Sequence, residues 1–183
     1  MSNSINYLDV QKENIINIIH RYVLGQCFYD DEHTHTDIEK IALKSSYEFA
    51  ITGDENPEKI SMYSNILYYD EGEDEKETLL NKTMAFGRML YDDDRLVDKA
   101  LGEFFSEMHS DMDDYIKDKS AYKFALEVLL PPKLVGRYIN DYKENNDTIN
   151  ENELVTFLSD KLCVKEDIIQ KAIKSDEFKG NLL

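Results

Sequence analysis

Four histidines, His20, His33, His35 and His109, are the first place to look for chemistry in this 183-residue chain. Zinc held on one helix needs two histidines four positions apart with a glutamate beside the first, so that ligands and general base share a face. Here no two histidines stand four apart, and none is followed by Glu. His33 and His35, beside Asp30, Asp31 and Glu32, could hold a metal loosely, as could Glu107, His109 and Asp111. A solvated polar surface is the simpler reading of both. Nucleophilic chemistry has no Gly-x-Ser-x-Gly turn to work from, and neither Cys27 nor Cys163 has a histidine near it in sequence. The seven glycines form no phosphate-cradling loop. The sequence therefore predicts no catalytic residue, no metal ligand and no cofactor.

Charge points elsewhere. Lys and Arg number 21 against 38 Asp and Glu, a formal net charge of −17. Nucleic-acid binding runs on neutralising phosphates with basic side chains, so this balance argues against it. It argues equally against an anionic membrane surface. Basic proteins are the electrostatically favoured partners. The 42% hydrophobic content is enough for a core, unlike an acidic disordered tail. No run approaches the roughly 18 apolar residues of a membrane span. A polar N-terminus without an apolar stretch and two cysteines without Cys-x-x-Cys spacing predict a cytoplasmic protein with reduced thiols.

The elements that must position any site follow from periodicity. Ile15, Ile16, Ile19 and Val23 repeat at helical spacing. Thr36-Asp37-Ile38-Glu39 reads as a capping box opening a helix that buries Ile38, Ile41, Ala42 and Ser45. Residues 60–69 are rich in strand formers, with Ser64-Asn65 as a tight turn, and predict a short hairpin or two small strands. The acidic run Asp70, Glu71, Glu73, Asp74, Glu75 and Glu77 leads into a helix carrying Leu79, Leu80, Thr83, Met84, Gly87 and Leu90, ended by Asp92, Asp93 and Asp94. Further helices carry Leu96 to Met108, then Ala121, Phe124, Val128 and Leu129 up to Pro131-Pro132. Three more carry Leu134 to Ile139, Leu154 to Leu162 behind a capped start at Asn150, and Val164 to Ile173. The expected class is α+β and mainly helical, a small sheet or hairpin near 60–69 packed with a helical bundle. Residues 1–146 would form the main domain and 147–183 a helical C-terminal subdomain, unless the whole is one domain.

The segment Ala121-Tyr122-Lys123-Phe124-Ala125-Leu126-Glu127-Val128-Leu129-Leu130-Pro131-Pro132 resembles the Phe-Ala-x-x-Leu-Leu-x-Pro piece of the ImmA/IrrE family of small zinc metallopeptidase-like proteins. The order of elements over roughly residues 36–173 is similar too: a leading helix, small strands, a zinc helix, this segment, then further helices. The resemblance implies that Thr83-Met84-Ala85 opens the zinc helix, which in the family reads Thr-Leu-Ala-His-Glu-Leu-Gly-His. Phe86, Gly87 and Leu90 then stand where the first histidine, the glutamate and the second histidine belong, and Ser120 stands near the family's acidic third ligand. Phe and Leu offer zinc no lone pair, and Gly cannot activate water. This is a degenerate member by expectation, its zinc motif lost.

Family members partner helix-turn-helix repressors of phages and mobile elements. The resemblance thus implies a non-catalytic regulator that binds such a repressor or another basic nucleic-acid-binding protein. The relic site, Phe86, Gly87, Leu90 and Ser120, is expected to form an apolar groove for a peptide or helix. Asp70 to Glu77 and Asp92 to Asp94 are the expected partner-facing acidic surface. The competing reading is an acidic nucleic-acid mimic that inhibits a host nuclease or defence protein.

Overall fold

A carboxylate, not the expected hydroxyl, starts the first helix, α1 (Ile38–Lys44). Asp37 Oδ1 accepts the Lys40 backbone N–H at 3.1 Å. Glu39, the expected second half of the capping box, instead pairs with Lys82 at 2.7 Å. Thr36 is only 3% exposed, and its hydroxyl donates to the carbonyl of Val128. The computed structural model describes residues 36–44, 46–53, 65–90, 114–146 and 148–174. The expected helices over 15–23 and 96–108, and the residues His33, His35, Asp92, Asp93, Asp94, Glu107, His109 and Asp111, lie outside these.

The described residues form six helices and two strands, so the mainly helical α+β class holds. The sheet differs from the expected hairpin. Strand β2 (Asn65–Tyr69) pairs in parallel with β1 (Tyr47–Ile51), a segment to which periodicity assigns no element. Asn65 does not turn; it sits in register with Tyr47. Parallel pairing needs a crossover of about a dozen residues, and the connection between the strands supplies that length. Ser46, at φ 66°, takes the left-handed conformation that swings the chain from α1 into β1.

Helix α2 (Glu75–Met89) and helix α3 (Asp114–Leu129) pack face to face, with the sheet against α2. Met89 and the wholly buried Leu90 end α2 before the expected aspartate triplet. Helix α3 runs unbroken through 116–120, which the periodicity leaves between two helices. Phe124, Ala125 and Val128 on its inner face are 0% exposed.

Two prolines separate α3 from α4 (Pro132–Asn145), and each has its own task. Pro131 is the N-cap and Pro132 the first helical residue, where a missing N–H costs nothing. The same prolines leave the last α3 carbonyls without their usual donors, since residue 132 cannot serve Val128. The Thr36 hydroxyl takes that place.

Asn150 caps α5 (Glu151–Leu162) by accepting from the Asn152 N–H at 3.1 Å, as its position predicts. Cys163, at φ 56°, turns the chain into α6 (Glu166–Ile173). One apolar cluster joins Leu129, Tyr138 and Ile139 to Leu154, Leu158, Leu162 and Ile169, with Leu79 and Leu80 of α2 against it. A boundary drawn at residue 146 therefore crosses a shared core.

Candidate functional site

The positions that the resemblance assigns to the site, Phe86, Gly87, Leu90 and Ser120, come together where α2 meets α3. Thr83, one turn before them, is wholly buried and folds its hydroxyl back to the Leu79 carbonyl at 2.7 Å. Phe86 is 0% exposed, its ring edge-on to Tyr47 at 6.4 Å and to Phe124 at 6.0 Å. Leu90 is equally buried, and its N–H closes on the Phe86 carbonyl at 3.1 Å. Ser120 is 8% exposed.

Gly87 faces α3 at close range. A Cβ there would stand 2.7 Å from Phe124 Cδ1 and 3.3 Å from the Ala121 Cα. These positions are packed interior, and among the described residues they do not open into the apolar groove expected from the sequence. A groove floor must keep some contact with solvent, and Phe86 and Leu90 have none.

The acidic surface divides by task. Asp74 is the N-cap of α2 and accepts the Glu77 N–H at 2.8 Å. Glu77 reaches back to the Glu73 N–H at 3.1 Å and takes an ion pair from Lys165 at 3.0 Å. The Lys165 hydrogen bond, then that of the Glu73 N–H, holds the Glu77 carboxyl below its usual range. Its neighbour Lys76 spans to Ser159 at 2.7 Å and Asp160 at 2.9 Å. Lys76 and Glu77 thus tie the first turn of α2 to the α5–α6 corner.

Gly72 lets the acidic loop fold onto this turn, since a Cβ there would meet Glu77 Cβ at 2.6 Å. Asp70, Glu71, Glu73 and Glu75 remain exposed. Asp74 is exposed as well, though its carboxylate is engaged in the cap.

Sequence reasoning missed Lys82. Its ammonium lies 4.9 Å from the centre of the Tyr69 ring and 5.8 Å from that of Phe49, and pairs with Glu39. Burial alone would lower its pKa, but the Glu39 hydrogen bond and charge outweigh that and raise it. Lys82 pins α2, the sheet and α1 together. Its partner Glu39 stands 43 positions away in sequence, so nothing local signals the pair; only the parallel pairing of Phe49 with the β2 strand builds its seat.

Among the described residues no group of three His, Cys, Asp or Glu side chains is placed to hold a metal. None of their helices is long and apolar enough to cross a membrane. Compared with protein-family models, with curated proteins and with solved structures, the chain finds no match.

Proposed function

We propose that the chain is a non-catalytic, protein-binding regulator of phage or mobile-element type. On this reading it is built on an ImmA/IrrE-like scaffold without the metal site, and its partner is a helix-turn-helix repressor or another basic protein. The observation that supports it is Gly87. The position where the resemblance calls for the glutamate base has no room for even a methyl group, and Phe124 fills the space beside it. The net charge of −17 and the exposed Asp70, Glu71, Glu73 and Glu75 suit a basic partner.

The charge also favours the nucleic-acid-mimic reading. Against it, Glu39, Glu77, Asp118 and Asp160 are each paired with a Lys or Arg of this chain, which thins the array a phosphate mimic needs.

Two measurements test the proposal. Metal analysis of the purified protein is expected to find no stoichiometric zinc; one tightly held zinc per chain would sink the pseudoenzyme reading. Affinity capture from the native host is expected to return a DNA-binding repressor. Capture of a nuclease or defence protein instead would hand the case to the mimic.

A further inference from the structure

Strand β2 alternates about its sheet. Leu67 is buried and Tyr69 half-buried on the side of α2, while Ile66 and Tyr68 on the other side are 39% and 49% exposed. Single exposed apolar residues are ordinary. Here two occupy successive outward positions of one strand. In the parallel register Ile66 stands beside Glu48 and Tyr68 beside the buried Ala50. The strand then runs straight into exposed Asp70, Glu71 and Glu73. The result is a short apolar ridge with exposed carboxylates at its C-terminal end.

We propose that this outer face of β2 is where a basic amphipathic helix of the protein partner docks. The proposal rests on the reading above that the partner is basic, and it moves the interface from the buried relic site to the sheet. Charge argues for the occupant: exposed Asp70, Glu71 and Glu73 at the end of an apolar ridge match an apolar stripe bordered by Lys and Arg. Spacing argues for a helix. Ile66 and Tyr68 lie about 6.6 Å apart along the strand, at ~3.3 Å per residue. Apolar residues four apart on a helix rise by about 6 Å. Tyrosine suits the centre of such an interface, with a large rigid ring and a polar tip.

The test uses the full chain and two fluorescein-labelled peptides of equal Leu, Ala and Lys content, read by anisotropy at low and physiological salt. In one, the leucines follow helical i, i+4 spacing opposite the lysines; in the other they are dispersed. The first is expected to bind at least tenfold more tightly. Ile66→Ser with Tyr68→Ser is expected to abolish that preference while leaving the thermal transition in place, both side chains being exposed. Glu71→Gln with Glu73→Gln is expected to weaken both peptides and flatten their salt dependence. Equal binding of the two peptides, or a tenfold preference that survives the double serine variant, overturns the proposal. A basic partner that binds the double serine variant as it binds the wild type removes this surface but leaves the functional reading standing. If no basic protein binds the wild type, that reading itself falls.

Discussion

Gly87→Ala is the sharpest probe of the helix crossing. The new methyl would sit 2.7 Å from Phe124 Cδ1, about an ångström inside ordinary carbon contact. The ring has little freedom to yield: it is 0% exposed and Phe86 stands edge-on to it, centroids 6.0 Å apart. On the other side the methyl meets backbone, the Ala121 Cα at 3.3 Å. Inserting a methyl into a packed core costs about 1–3 kcal/mol. Alanine in a helix interior returns about 1 kcal/mol relative to glycine. The backbone contact places this site toward the upper part of the overpacking range, so the expected net loss is about 1–2 kcal/mol. For a chain of this size that is a fall in Tm of about 2–8 °C. Urea titration followed by far-UV circular dichroism measures it, with an unchanged m-value showing that the same surface unfolds. Phe124→Leu trims the obstructing ring edge. In combination with Gly87→Ala it should cost less than the two single losses together by at least about 0.5 kcal/mol. A Gly87→Ala variant as stable as the wild type, or more so, would refute the close approach.

Other expectations follow from the same packing. Phe124→Ala and Leu129→Ala should each cost about 2–5 kcal/mol, read as a lowered urea midpoint; an unmoved midpoint would put these side chains outside the core. Thr36→Val strands a buried carbonyl and should cost about 1–3 kcal/mol, while Thr36→Ser keeps the donor and should recover much of that. Asp37 and Glu77 both titrate below their usual values, Asp37 because the Lys40 hydrogen bonds and charge outweigh its burial and Glu77 chiefly because of Lys165. The stability they contribute is present above their unfolded values near pH 4 and lost as pH falls through the lower folded values. Lys165→Met should therefore flatten the acid limb of a stability-versus-pH curve, and an unaltered limb would show the pair contributes nothing. The triple variant Phe86→His, Gly87→Glu, Leu90→His should unfold rather than bind zinc, checked by circular dichroism and metal analysis; a folded zinc-loaded product would mean the two helices can separate.

What the sequence reveals here is what depends on near neighbours. The apolar faces of α1, α4, α5 and α6 recur every three to four residues and are mostly buried as that spacing predicts. On α2 the expected Leu79, Leu80 and Met84 are half-buried, whereas Phe86, outside that periodic face, is wholly buried. Asn150 and the Pro131-Pro132 pair mark ends because their local chemistry leaves little choice. Long-range partners decide the rest. Thr36 fits a cap by its spacing to Glu39, yet Asp37 does that work one residue later and the Thr36 hydroxyl goes to an acceptor 92 positions away. Tyr47 to Ile51 is too short to show a period, and becomes a strand only because β2 lies alongside it. The acidic run reads as one surface, but Asp74 and Glu77 are taken up by the α2 cap and by Lys165, whose place beside them depends on the fold of α5 and α6.

At Phe86, Gly87 and Leu90, residue type speaks to chemistry but not to shape. Phe86, Gly87 and Leu90 cannot bind zinc or activate water, which follows from residue type alone. That such positions form a groove does not follow. A pocket vacated by polar ligands survives only if its walls stay apart, and walls of Phe, Gly and Leu gain by closing, since each buried aromatic or aliphatic side chain contributes about 1.5–3 kcal/mol. Gly87 removes the last obstacle to that closure, and the Phe124 ring occupies the gap. A partner of the kind proposed would then meet what the closure leaves outside. Among the described residues the Ile66–Tyr68 face and the carboxylates beside it are exposed, and their exposure carries no cost to the core that the same helices seal.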